Sequence, residues 1–323
     1  DSYLFFLEAF PFAAGRERAT ELRDEVAYLD ALKKNTYQGF YNYFTKYPTA
    51  ERAVEARRRY EKLLLNTLTA DKKLTSYRAF VRDYPSSPYL EEAQREIFEI
   101  STASGNMETF EKFLASYPKS TTAKFARDIL FHIQLETNSE LVLNDSLKAV
   151  RLLDQGYLVP FLRDDQFGLM NSEGVDIIKN IGNELEADYL CGNITEDVLL
   201  TANGIVSRNG VVVYNGEVSD FEALGYGFLL VTDGACSKVV HKSGWLVTTG
   251  CIEDARLIAG RFLAIQRNSK WAVWSLAGRA LTAHYFQEVK AIGKVVALKK
   301  NEHWFLVQSG SLGALADGEE LTL

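Results

Sequence analysis

The sequence predicts a two-part α + β multidomain chain: an N-terminal α–α helical solenoid over residues 1–135, a linker at 136–145, and a C-terminal all-β repeat domain over 146–323 with a propeller-like arrangement. Three observations predict it. Prolines recur in a fixed aromatic frame in the first half. Near residue 146 the texture changes to short Val, Ile, Leu and Tyr runs broken by glycine. Glycines then recur with their own period to the end of the chain.

The helical half comes first. Pro11, Pro48, Pro85 and Pro118 stand 37, 37 and 33 residues apart. Eight residues before each is Tyr3, Phe40, Tyr77 or Phe110; five before is Phe6, Tyr43, Phe80 or Phe113; immediately before is Phe10, Tyr47, Tyr84 or Tyr117. These offsets fall on one face of an α-helix, and proline disfavours the α conformation of the residue preceding it, so a helix is expected to stop at each proline. Ala13, Ala50, Ser87 and Ser120 follow two positions later, and the two serines suit the N-cap of a second helix. Ala19, Ala56, Ala93 and Ala126, eight positions after the prolines, are small enough to let two helix axes approach. Each unit is therefore expected to be a helix hairpin, with the aromatics as its core and tryptophan at position 93 disrupting it.

This frame resembles the divergent tetratricopeptide repeats with a Tyr-x-x-Phe-x-x-x-Tyr-Pro-x-Ser signature, similar to those of helical outer-membrane assembly lipoproteins in bacteria. The resemblance covers about residues 1–135. The Trp and Leu-Gly of the standard repeat are absent, and the first unit begins too late for a full first helix. Because the chain opens on Asp1, an upstream segment carrying a signal peptide or a lipid-attachment cysteine is expected to have been removed.

In the second half Gly174, Gly210, Gly244, Gly278 and Gly310 are spaced 36, 34, 34 and 32 residues apart. Each sits between two short β runs, where glycine supplies the positive φ of a hairpin turn, so five hairpins are expected. A companion set, Gly156, Gly192, Gly227, Gly260 and Gly293, precedes further runs, giving about four short strands per unit. These lines resemble the WG-type β repeat, most clearly at Phe167-Gly168, Asn203-Gly204 and Trp271-Ala272, although the signature dipeptide is intact in none. Radial stacking would protect the sheet edges. Five units are few for a closed ring, so a partial ring, a blade added from outside the chain and a stacked solenoid are alternatives.

Composition bounds the function. A net charge of -7 carries no cationic field for nucleic acid or anionic lipid. No apolar run is long enough to span a bilayer, so a soluble chain is expected, with a lipid anchor upstream as the only membrane link. Cys191, Cys236 and Cys251 have no metal-ligand spacing; buried free thiols are expected, with one disulfide and one thiol as the alternative. His132, His241, His284 and His303 are scattered through different units, so replacing any one is expected to leave the fold nearly intact. The pairs Asp164-Asp165 and Glu253-Asp254 read as loop or strand-end acids, and no phosphate-binding loop or nucleophile elbow occurs. No catalytic residue, cofactor or metal is assigned.

Repetition itself points to extended surface, and such surfaces bind macromolecules. The expected function is a non-enzymatic protein–protein adaptor of the bacterial cell envelope, periplasmic and docking other proteins of an assembly. The alternatives are the interaction arm of a cytoplasmic signalling or caspase-like protein, and a propeller enzyme acting on sugar or peptide. Candidate partner-binding residues are Trp245, Trp274 and Trp304, because tryptophan is enriched at binding hot spots, and Arg57, Arg58 and Arg59, which could meet an acidic partner.

Overall fold

The computed structural model describes residues 2–137, 157–185, 187–190, 194, 197–208 and 210–318. Helices come first and small antiparallel sheets follow. By contact the chain divides into two compact units, Asp1–Glu96 and Ile97–Leu323. The boundary falls inside a helix, upstream of the change of texture at residue 146, and the expected linker lies outside the described residues from position 138 onward. Among the described residues no helix is long and apolar enough to cross a membrane.

The helices are α1 (Ser2–Ala9), α2 (Arg16–Lys34), α3 (Tyr37–Lys46), α4 (Ala53–Leu68), α5 (Leu74–Asp83), α6 (Leu90–Ser101), α7 (Met107–Ser116) and α8 (Ala123–Glu136). Each short helix stops at the aromatic before the proline, as expected. The N–H groups of Phe10, Tyr47, Tyr84 and Tyr117 donate back to the carbonyls of Phe6, Tyr43, Phe80 and Phe113. The same turn then follows four times, with Ala13, Ala50, Ser87 and Ser120 donating to those four aromatics at 3.1–3.2 Å. The two serines do not cap a helix. The Ser87 and Ser120 hydroxyls accept from Tyr89 and Thr122 two residues on, a serine turn that precedes the helical start.

Ala56, Ala93 and Ala126 are fully buried, as are Phe40, Phe80, Phe110 and Phe113. In the first unit Tyr28, Ala31, Phe40, Tyr43 and Ala56 form one cluster, with the Tyr28 ring 5.4 Å from that of Tyr43. The first hairpin is looser: Phe10 is 54% exposed and Tyr3 36%, although their equivalents in later hairpins are buried or half-buried.

In the second unit fifteen strands form five separate three-stranded antiparallel sheets among the described residues. They are β1–β3 (Leu158–Arg163, Gln166–Asn171, Asp176–Gly182), β4–β6 (Val198–Thr201, Gly204–Ser207, Val212–Asn215), β7–β9 (Val218–Gly225, Phe228–Asp233, Cys236–His241), β10–β12 (Asp254–Ile258, Phe262–Arg267, Lys270–Ser275) and β13–β15 (Glu288–Ile292, Val295–Lys300, His303–Gln308). Two short helices, α9 (Ala187–Leu190) and α10 (Ser309–Leu312), and a 3-10 turn at Gly313–Asp317 complete the elements.

Four of the five expected turn glycines do the expected work. Gly174, Gly210, Gly244 and Gly278 have φ of +79°, +83°, +82° and +106°. Each donates to the carbonyl three residues back, and the chain closes again one residue later, as in Ser207 N–H to Val211 O at 2.8 Å and Ser275 N–H to Arg279 O at 2.8 Å. This is a three-residue loop with its last residue left-handed. Gly310 differs: it lies inside α10, and β15 runs into that helix instead of a hairpin. Asp164-Asp165, Asn268-Ser269 and Asn301-Glu302 all have both residues at positive φ and form two-residue strand connections. The first acid pair is therefore a turn.

Aligned on these glycines, the sheets differ in phase. In β1–β3 and β4–β6 the glycine falls between the second and third strands; in β7–β9 and β10–β12 it follows the third. A fourth position then appears as isolated bridges, Val240–Leu246 and Ser237–Ile252 in one sheet, Trp274–Ala280 and Trp271–Phe286 in the next.

Successive sheets meet through the same glycines. A Cβ at Gly210 would stand 2.7 Å from the Ile177 carbonyl oxygen, at Gly244 2.9 Å from that of Val212, and at Gly278 2.9 Å from that of Val247. The C-terminal part of α6, the turn before α7, and α8 pack on these sheets. Gly105 admits the Arg261 carbonyl and Gly313 admits Ser104 where a Cβ would overlap them.

Candidate protein-binding surfaces

Trp245 follows the turn glycine of the third sheet and is 5% exposed, so it is not a surface anchor. Its ring packs edge-on to Phe98 of α6 at 5.2 Å and against Phe125 of α8 at 4.9 Å. The indole N–H donates to the Ala277 carbonyl at 2.9 Å, which ties the third sheet to the turn of the fourth. Trp274 is half-buried, with Arg267 stacked over it at 5.3 Å and His284 against its edge. Trp304 is 43% exposed on β15, where Lys290 covers part of one face at 5.2 Å. The structure thus spreads the three tryptophans over a junction, a half-buried sheet position and an open strand.

The three arginines of α4 are all exposed. Arg59 makes a forked ion pair with Glu55 at 2.9 and 3.1 Å, one turn earlier on the same helix. Arg57 lies over the Phe44 ring at 5.9 Å. Among the described residues neither Arg57 nor Arg58 forms an ion pair with a carboxylate, so the run is a mixed helix face in which Arg59 is paired and Arg57 and Arg58 present the cations.

A groove of which the proline-aligned frame marks only Tyr84 opens beside that face. It has a volume of about 320 Å³ and is lined by Tyr37, Tyr41, Tyr60, Leu64, Tyr84 and the amides of Gln38 and Asn42. Tyr41 is 48% exposed and its ring lies 5.5 Å from Tyr60. Burial, then the charge of Glu61 and the neighbouring phenols, holds the Tyr60 hydroxyl above its usual pKa, so it stays a neutral donor. Tyr37 and Tyr41 are four residues apart on α3, a spacing visible in the sequence but one face away from Phe40 and Tyr43. Four aromatic faces with two amides at the rim give a surface that can stack on apolar or proline side chains and bond an extended backbone.

Two histidines that look scattered in sequence meet in the second unit. His132 of α8 and His241 at the end of β9 stand 4.9 Å apart, edge to face, and both are buried. Burial pushes His132 down to about 4, against the support of its bond to the Asp128 carbonyl. Burial also drives His241 well below the usual histidine range, helped by the neighbouring His132 and Lys242. The Ser243 N–H donates to Nδ1 of His241 at 3.1 Å, and Nε2 faces the Tyr226 carbonyl at 3.1 Å, which fixes the neutral ring. Gly227 lies beneath both rings, where a Cβ would be 2.7 Å from His241 Nε2 and 2.8 Å from His132 Cγ. The histidines expected to be scattered are brought together in this pair, because helix and sheet close over both rings. Sequence spacing carries no sign of a contact between residues 109 positions apart.

Cys236 and Cys251 form a disulfide that closes a 15-residue stretch containing the turn glycine and Trp245. The alternative of one bridge therefore applies to this pair, and Cys191 lies outside the described residues. Among the described residues no group of histidine, cysteine and carboxylate side chains has the arrangement of a metal site. The chain matches no protein-family model and no curated protein.

Proposed function

We propose that the protein is a non-enzymatic scaffold that binds other proteins, with stacked tetratricopeptide-like helix hairpins and WG-like β units as its two binding platforms, and that it works in the bacterial cell envelope. The observation that carries the binding role is the tyrosine groove of Tyr37, Tyr41, Tyr60 and Tyr84, which combines open aromatic faces with the amides of Gln38 and Asn42. Tyrosine supplies large contact area at low entropic cost, and side-chain amides serve an extended backbone. The Cys236–Cys251 disulfide supports an oxidising compartment over the cytoplasm. The propeller-like arrangement of the β units remains part of this proposal.

Crosslinking in cells followed by capture tests the role. The wild-type protein is expected to retain a defined partner that the Tyr41→Ala/Tyr84→Ala double variant loses while keeping its melting temperature. An unchanged partner set would remove the groove from the mechanism. Trapping thiols in intact cells and mapping them by mass spectrometry tests the compartment: alkylated Cys236 and Cys251 would overturn the envelope address.

A further inference from the structure

The last sheet carries an edge that its predecessors close, and the way they close it describes what fits there. In each sheet from the third to the fifth, the residue opening the second strand faces the residue ending the third: Phe228 with His241, Phe262 with Ser275, Val295 with Gln308. This register makes Ser237, Trp271 and Trp304 equivalent, likewise Val239, Val273 and Leu306, and likewise His241, Ser275 and Gln308. These positions turn their backbone groups away from the second strand.

In the third and fourth sheets the following segment takes up those groups in the same way twice. Ile252 N–H donates to Ser237 O at 3.0 Å, and Phe286 and Trp271 exchange both bonds. Val247 donates to Val239 O at 2.9 Å and Leu281 to Val273 O at 2.8 Å. The N–H groups of Val239 and Val273 donate to the Thr248 and Thr282 hydroxyls at 3.0 and 2.9 Å. Trp245 O and Arg279 O accept from His241 and Ser275.

After β15 the chain turns into α10, so among the described residues no segment reaches the outer groups of Trp304, Leu306 and Gln308. Their side chains register the difference. Val239 and Val273 are 0% exposed and Trp271 7%, whereas Leu306 is 69% and Trp304 43% exposed, with Ile292 at 62% on the same face of the sheet. Positions patterned for burial stand open on an edge that no described strand pairs.

We infer that the β15 edge binds an extended segment of a partner protein, which adds antiparallel as a further strand. The two internal precedents specify its chemistry: an aliphatic residue followed by threonine, then an apolar residue four positions after the threonine, as in Val247-Thr248 with Ile252 and Leu281-Thr282 with Phe286. The threonine hydroxyl accepts the Leu306 N–H, and the aliphatic and apolar side chains cover Leu306 and Trp304. This deepens the scaffold reading and rests on it, but it uses a face in the second unit separate from the tyrosine groove of the first.

The test is fluorescence anisotropy with a labelled nonapeptide of the sequence of residues 279–287, titrated with the full chain. Saturable binding is expected. Leu306→Pro removes an N–H that β14 does not use, so it should keep the fold and weaken binding more than about tenfold. Replacing the peptide's threonine with valine should weaken it about fivefold. If the proline variant misfolds, Trp304→Glu with Leu306→Lys supplies the same arm. Absence of binding at millimolar protein, or binding unchanged in these variants, overturns the inference. So does dimerisation that Leu306→Pro abolishes, which would assign the edge to a second copy. Binding that appears only after residues 319–323 are deleted would assign it to the chain's own tail and equally overturn it. The groove variants Tyr41→Ala/Tyr84→Ala should leave peptide binding unchanged, which separates the two surfaces.

Discussion

Gly210, Gly244 and Gly278 each meet two demands at one atom: a left-handed φ, and the carbonyl oxygen of the preceding sheet within 3 Å of where a Cβ would be. Alanine meets neither, so Gly278→Ala is expected to cost about 2–4 kcal/mol in denaturant unfolding, more than conformational strain alone. His132 and His241 show the same local logic with charge. The His132 ring stays neutral in the fold because its pKa is about 4, while in the unfolded chain it binds a proton near 6.5. Between these values the unfolded state holds more protons, so stability falls as pH drops from about 6.5 toward 4. His132 alone accounts for about 3 kcal/mol of that loss. Urea midpoints measured across this range check it, and a His132→Phe variant should flatten the profile. The disulfide adds about 3 kcal/mol by closing its 15-residue stretch, so Cys251→Ser should lower the melting temperature of the oxidised protein and make it insensitive to reductant.

At the scale of elements, the second hairpin packs a buried alanine, Ala56, against two buried aromatics, Phe40 and Tyr43, and the third and fourth bury the equivalent alanine and aromatics. Ala93 is 0% exposed. Ala93→Trp should therefore destabilise the protein by about 3 kcal/mol or more, seen as an early loss of helical circular dichroism on heating, whereas Ala93→Gly should cost only about 1 kcal/mol. These hairpins were legible because proline, aromatic and alanine spacing encodes a purely local geometry. The turns at Gly174, Gly210, Gly244 and Gly278 were legible for the same reason, through glycine and positive φ, whereas the connections at Asp164-Asp165, Asn268-Ser269 and Asn301-Glu302 carry no glycine to mark them. Gly310 marks where that reasoning fails: the turn needs its glycine three residues past the strand end, and β15 ends only two residues before it. The serines after Pro85 and Pro118 stand two residues before the cap position and not at it, since a serine turn and an N-cap look alike in sequence.

At the scale of the molecule, the helices of residues 97–136 belong to the sheets. Trp245, Phe98 and Phe125 form one aromatic contact, and Gly105 and Gly313 let backbones touch across it. A fragment of residues 97–323 is expected to fold cooperatively. A fragment of 146–323, cut where the composition changes, should bind hydrophobic dye and aggregate, because Trp245 loses its cover. Matching near-ultraviolet spectra and sharp melting for both fragments would contradict this.

The sequence by itself determined the order of helices and strands, the hairpin turns and the small residues at close contacts, because each depends on neighbours a few positions apart. Only the tertiary structure decided that Trp245 is core, that His132 meets His241, that Cys236 pairs with Cys251, and that Tyr37, Tyr41, Tyr60 and Tyr84 share a groove. It also decided that the pattern burying Val239 and Val273 leaves Leu306 open. Such facts depend on which segments pack together, and spacing along a chain does not carry that information.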